Sequence, residues 1–167
     1  MKDSTILSSV SLLILKIAVF GLGVGVLLLC LFGLPAIWVA VPDEFRADMH
    51  STLYTILIGA YIAAVPFFVA LFQALRLLGL IKKGKAFSKI AVRYIKITAR
   101  SALGISIVYA LLLPLFYKWA QYEDAPGLIV ICMILSGTPF IMAVFMTVVE
   151  RLLKQAVSIK KENDLTV

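Results

Sequence analysis

The chain is organised by where charge is missing. Asp, Glu, Lys and Arg are absent from Ile17 to Pro42, from Met49 to Leu75, from Ser101 to Tyr117 and from Ala125 to Val149. A helix needs about 20 predominantly apolar residues to cross about 30 Å of hydrocarbon, and three of these runs exceed that length. The third has only 17 residues. Ser88, however, is suited to cap a helix that meets no Gly or Pro until Gly104, so this helix starts ahead of its uncharged run. The pattern predicts an all-α, integral membrane four-helix bundle forming a single transmembrane domain over residues 1–167. Its spans cover 17–41, 52–80, 97–117 and 127–149, with a basic loop over 81–96 and a tail over 151–167.

Two features refine this outline. Ahead of Lys16, the residues Thr5, Ser8, Ser9 and Lys16 recur at helical spacing against Ile6, Leu7, Val10, Leu13 and Ile14. This describes a weakly amphipathic helix lying along the inner surface before span one. Span two reads Pro66-Phe67-Phe68-Val69-Ala70-Leu71-Phe72 and span four Pro139-Phe140-Ile141-Met142-Ala143-Val144-Phe145. Leu34-Pro35 precedes Trp38 as Leu113-Pro114 precedes Trp119. The matches are consistent with a duplicated helical hairpin, and equally with coincidence between apolar sequences.

Composition identifies the solvent. Of 167 residues, 62% are hydrophobic and 15% charged, against an apolar share of about half in soluble domains. So few polar residues cannot cover a water-facing surface, and lipid takes that role. The formal charge of +7 would point to nucleic acid only if it lay on a folded, water-facing patch. Here the basic residues separate hydrophobic runs, and no direct nucleic-acid binding is expected. Arg76 to Arg100 contains Arg76, Lys82, Lys83, Lys85, Lys89, Arg93, Lys96 and Arg100 with no acid. The opposite loops carry Arg46 and Lys118 against Asp43, Glu44, Asp48, Glu123 and Asp124. Cytoplasmic loops carry the excess of Lys and Arg. Both termini, with Lys2, Lys16, Arg151, Lys154, Lys160 and Lys161, fall on the same basic side. An even number of spans follows, with N- and C-termini cytoplasmic. Trp38, Tyr54, Tyr117, Trp119 and Tyr122 cluster near the two outer loops, where headgroups favour Trp and Tyr. Lys16 interrupts the first apolar segment and no small-x-small cleavage site follows it, so the start is expected to be retained.

Candidate chemistry is sparse. The single histidine, His50, cannot build a His-based metal cluster, and there is no G-x-S-x-G, H-E-x-x-H or Walker motif. The sequence therefore predicts neither enzyme activity nor a cofactor. Cys30 and Cys132 each lie inside an uncharged run and read as small packing residues. Pro35, Pro66, Pro114 and Pro139 put one proline in each span, which reads chiefly as helix shape, with hinges around a binding site as the functional alternative. Gly21 and Gly25, and Gly59 with Ala63, give small-x-x-x-small spacings that predict a close approach of spans one and two. Gln73, Arg76 and Glu150 are candidates for a polar cluster at the inner mouth, most simply as an ion pair tying span two to span four.

The basic segment is the most informative stretch. Phe87, Ile90, Tyr94 and Ile97 form one helical stripe and Lys89, Arg93, Lys96 and Arg100 another, the design of a helix at an anionic surface. Lys82, Lys83, Lys85, Phe87, Lys89, Arg93, Lys96 and Arg100 are thus candidates for binding a partner or the anionic lipids of the inner leaflet, with a plain topology anchor as the simpler alternative. Gly84-Lys85-Ala86-Phe87-Ser88 between spans two and three, the basic helix to Arg100 and the ending Glu162-Asn163-Asp164-Leu165-Thr166-Val167 resemble the bacterial family catalogued as domain of unknown function 2975, the YoaS-like proteins. The resemblance covers nearly the whole chain. It implies a multi-pass protein of the bacterial inner (cytoplasmic) membrane, often encoded beside a small helix-turn-helix regulator, and brings no activity or catalytic residues.

Two functions follow as expectations. One is a non-enzymatic regulator or sensor whose basic loop and tail, Glu162, Asn163, Asp164 and Leu165 in particular, engage a cytoplasmic partner such as that regulator. The other is a small transporter, channel or immunity protein for an apolar or cationic compound, which calls for a cavity lined by Gln73, Tyr61 and Tyr109.

Overall fold

The computed structural model describes the backbone of residues 2–40 and 43–165, with side chains placed for 11–40, 49–160 and 162. Among the described residues the secondary structure is entirely helical. Helix α1 (Lys2–Leu28) passes through one π turn (Leu29–Gly33) into α2 (Leu34–Ala40). Helices α3 (Asp43–Lys82), α4 (Lys89–Tyr122) and α5 (Gly127–Leu165) complete the chain. Four stretches are long and apolar enough to cross a membrane: Ser11–Ala40, Met49–Lys82, Lys89–Tyr122 and Gly127–Lys160. Large apolar side chains cover their outer faces, Phe32, Leu111 and Ile141 each being about two-thirds exposed or more. A monomer in water rarely shows apolar patches beyond a few hundred Å², so this surface is built for lipid.

The helices are longer than the predicted spans. Residues 2–40 form one helical run of roughly 58 Å at about 1.5 Å per residue, and the backbone of the segment before Lys16 continues directly into span one. In α3 the backbone leaves helical geometry at Met49 (φ −115°, ψ 15°), separating a short helix before it from span two. Ser88 caps α4 as its position predicts: its Oγ accepts from the Ala91 N–H at 3.2 Å.

The turn before α4 is a Schellman motif, in which the Lys85 N–H donates to the Leu80 carbonyl at 2.9 Å and the Gly84 N–H to the Ile81 carbonyl at 3.0 Å. Gly84 sits at φ 67°, where an L side chain is strained. The turn is therefore only a few residues long. Lys89 to Arg100 belong to the first turns of α4 itself, in one helix with span three.

Helix α4 is the spine, packing extensively on α3 along one side and α5 along the other, while α1 leans on α3. Its contact face is rich in small residues, Ala91, Ala99, Ser101, Ala102 and Ser106 all being buried. Small side chains let helix backbones approach when no hydrophobic force drives them together in lipid. The buried side of the basic segment is thus Ala91, Val92, Ile95 and Ala99, whereas Phe87 and Ile90 of the predicted apolar stripe are exposed. Two apolar clusters hold the acidic half: Ile56, Leu112, Phe116 and Cys132 between α3, α4 and α5, and Met49 with Leu53 against Trp38 and Trp119.

The predicted glycine contact between spans one and two is not the one that forms. Gly21 and Gly25 face open space, whereas a Cβ on Gly23, on the opposite side of α1, would lie 2.7 Å from Leu71 Cδ2. Gly59 turns toward α4, where a Cβ would lie 2.5 Å from Leu112 Cδ1. Each uncharged span offers several small-residue faces, and lateral packing selects among them. The two hairpins also pack unequally, α4 and α5 along their length and α1 only lightly on α3.

Candidate functional site

A cavity of about 420 Å³ lies where all four spans meet. Span one contributes Leu29, Cys30 and Leu34, α3 the small residues Ala60, Ala63 and Ala64 with Phe67, α4 Tyr109, and α5 Leu135, Thr138 and Pro139. The alanines of α3 make the room, since larger side chains there would fill it. Helices α1 and α5 both line the cavity without packing extensively on each other, so the space lies between them on the side away from the α3–α4 seam.

The cavity wall includes a break in the regular helical ladder. In the π turn the Leu34 N–H donates to the Leu29 carbonyl rather than to that of Cys30. The next N–H along would be residue 35, a proline, which has none. The Cys30 carbonyl is thereby stripped of both helical donors, and the Tyr61 hydroxyl of α3 donates to it at 2.8 Å. A single-turn π bulge of this kind is frequent at functional sites. On the facing wall, Pro139 removes the N–H that would serve the Leu135 carbonyl. Tyr109 supplies the other polar element, since its hydroxyl has no hydrogen-bond partner among the described residues. Cys132 is buried beside it, its Sγ donating to the Tyr109 carbonyl at 3.5 Å. Ser136 Oγ donates to the Ser106 carbonyl at 3.2 Å, a second link between α4 and α5.

Of the residues expected to line such a cavity, Tyr109 does so and Tyr61 braces its wall. Gln73 does not: it lies two turns farther toward the basic end, its Oε1 buried with no hydrogen-bond partner. The inner-mouth cluster does not form an ion pair between spans two and four. Arg76 lies over the Phe72 ring at 4.3 Å and faces Tyr94 at 6.0 Å, while the buried Glu150 accepts from Lys154 of its own helix at 2.7 Å. Helix α4 stands between the two helices that carry them.

The candidate binding residues of the basic segment are distributed around one end of the bundle. Lys82, Lys83, Lys85, Phe87, Lys89, Arg93 and Arg100 are exposed and Lys96 is half-buried. The backbone of α5 continues as helix through Glu162, Asn163, Asp164 and Leu165; of these only the side chain of Glu162 is described, and it is exposed. At the acidic end, Trp38 packs edge-on against His50 at 5.2 Å and Tyr54 at 6.4 Å. Among the described residues no three His, Cys, Asp or Glu side chains converge as metal ligands would.

Sequence reasoning missed Ala60, Ala64, Cys30 and Thr138 as cavity residues. The available signal was the run of small residues at 59, 60, 63 and 64, which fits a void as well as a helix contact.

Four apolar spans around a largely apolar cavity, basic at one end and acidic at the other, define the class: a multi-pass membrane protein. The particular family is shown by comparison. The model described as Protein of unknown function (DUF2975) matches residues 37–167, and the chain belongs to that family. It is 41% identical over 165 residues to the Uncharacterized membrane protein YoaS of Bacillus subtilis (strain 168), covering 96% of this chain and 100% of that one. No solved structure matches it.

Proposed function

We propose that the protein is a non-enzymatic sensor of the bacterial inner membrane that admits an apolar molecule from the lipid into the cavity between its spans. The occupied state is then presented to a cytoplasmic partner by the basic turn and the C-terminal extension of α5. The observation that carries this reading is the cavity itself. At about 420 Å³ it falls within the roughly 300–1,000 Å³ of small-molecule sites, which are mostly apolar with a few polar groups that orient the ligand. The Tyr109 hydroxyl and the Leu135 carbonyl suit a molecule with one hydroxyl or carbonyl on an otherwise hydrocarbon body. The π turn beside it is a point at which span one can shift register, because the Leu34-to-Leu29 bond and the Tyr61 bond replace a regular ladder there.

A fatty alcohol bearing a terminal diazirine, photolysed with the protein in nanodiscs, tests this. Adducts are expected on residues 60–67 and 134–139, and Ala64→Phe is expected to reduce those at least five-fold while leaving adducts at the lipid-facing Ile141 and Phe145 unchanged. Equal labelling of the cavity segments in both proteins would refute it. The output half is tested separately by capture of cytoplasmic protein, a helix-turn-helix regulator among the candidates. The full chain is compared with one ending at residue 161, and an unchanged set of captured proteins counts against the tail. A carrier or immunity protein for the same kind of compound is the second reading, favoured by a further hollow of about 570 Å³ bounded by Leu34 and Tyr61, which adjoins the cavity wall toward the acidic end.

A further inference from the structure

We propose that the seam between α4 and α5 at the basic end is a specific site for one anionic phospholipid. Its phosphodiester lies between Lys96 and Arg100, and an acyl chain runs up the seam past Leu103 and Val144. The proposal is independent of the central cavity, which lies deeper in the bundle.

Two adjoining hollows line this seam. The upper, about 310 Å³, is bounded by Lys96, Arg100 and Leu103 of α4 and by Val144, Thr147 and Glu150 of α5. The lower, about 290 Å³, includes Lys89, Lys154 and Ser158. Lys96 and Arg100 are one turn apart and Lys89 two turns below Lys96, so all three project along one edge of α4.

The charge balance favours an anion. Four cations face one carboxylate, that of Glu150, and it is already taken by Lys154 at 2.7 Å. Lys89, Lys96 and Arg100 have no ion-pair partner among the described residues. Glu150 is 7% exposed, so the seam already holds a desolvated carboxylate and its counter-ion, which orient a bound headgroup beside Thr147 rather than neutralise the site.

Depth selects a lipid. From the turn at the acidic end, Tyr122 to Arg100 and Gly127 to Glu150 each span roughly 33–35 Å of helix at about 1.5 Å per residue. Hydrocarbon is about 30 Å thick, so Lys96 and Arg100 fall at headgroup level. Directly above them the seam is flanked by Leu103 and Val144, both exposed to lipid. Phosphate recognition at one end and a hydrocarbon wall at the other match an amphiphile lying lengthwise, and basic pockets between membrane helices bind anionic headgroups on this principle. Arg93 lines neither hollow, which separates this site from a diffuse basic surface.

Native mass spectrometry of the full chain released from detergent, titrated with phosphatidylglycerol, phosphatidylcholine or soluble glycerol phosphate, tests the site. A single phosphatidylglycerol is expected to be retained at ten-fold or more lower concentration than phosphatidylcholine, with no retention of glycerol phosphate. The double variant Lys96→Gln, Arg100→Gln is expected to lose this preference at least five-fold, whereas Lys82→Gln, Lys83→Gln, which removes equal charge from the turn, keeps it within two-fold. Val144→Trp, a change at an exposed position that retains all the charges, is expected to weaken retention by obstructing the acyl path. Equal retention of the two lipids, equal loss in both double variants, or glycerol phosphate binding as well as the lipid would each overturn the assignment. Ala64→Phe is expected to leave phosphatidylglycerol retention unchanged, so failure here and failure of the cavity reading are distinguishable.

Discussion

Tyr61 ties the first span to α3 by a side-chain hydrogen bond. Its hydroxyl serves a carbonyl that a π turn and a proline together deprive of backbone donors, and lipid offers no replacement. Hydrogen bonds between membrane helices are worth about 0.6–2 kcal/mol. Tyr61→Phe is therefore expected to lower the thermal midpoint in detergent by an amount corresponding to about 1 kcal/mol. Tyr54→Phe, two turns away on the same helix and without a described hydroxyl bond, is expected to change it little; equal shifts would contradict the capping role. Gly59 makes the converse case. A side chain there meets Leu112 at 2.5 Å, and overpacking costs about 1–3 kcal/mol. Gly59→Val should destabilise strongly and be partly rescued by Leu112→Ala, while Gly21→Val, facing open space, should be nearly silent in the same melts.

Among the elements, α4 carries both the packing and the charge. Its first turn is fixed by Ser88, and loss of an N-cap costs about 0.5–2 kcal/mol. Ser88→Ala is expected to increase hydrogen exchange of the amides of residues 89–92 several-fold, with Ser88→Asp close to the parent; unchanged exchange in the alanine variant would show that α5 alone holds the turn. The consequence reaches the lipid seam, because Lys89, Lys96 and Arg100 share an edge only while this helix is continuous. The cap and the 3.6-residue spacing of the basic residues were readable from the sequence. Which side of α4 is buried was not: alternative stripes in an apolar helix differ little in hydrophobicity, and the small residues Ala91, Ala99 and Ala102 prevail because they allow closer approach.

At the scale of the molecule, charge asymmetry makes a claim about orientation. In a variant lacking Cys30 and Cys132, a membrane-impermeant maleimide is expected to label Glu123→Cys on intact cells and Lys85→Cys only after disruption. Reversal of that pattern would invert the topology and with it the inner-leaflet lipid site. The cavity belongs to this scale as well, since no single helix contains it. Phe67 and Ala64 of α3, Tyr109 of α4 and Pro139 of α5 meet only because α4 separates α3 from α5 while α1 closes over α3.

The number of spans, the split into a basic and an acidic end, the Ser88 cap and membership of a membrane family were all determined by the sequence, because long uncharged runs suit hydrocarbon, a cap is local, and the cap at Ser88 lengthens the one run that falls short. Tertiary structure alone decided that Gly23 rather than Gly21 and Gly25 faces the second span, that Glu150 pairs with Lys154 rather than Arg76, and that the space among the four spans is hollow. Those outcomes turn on van der Waals fit between helices in lipid. Many faces of an apolar helix are equivalent there until a neighbour is packed against one of them.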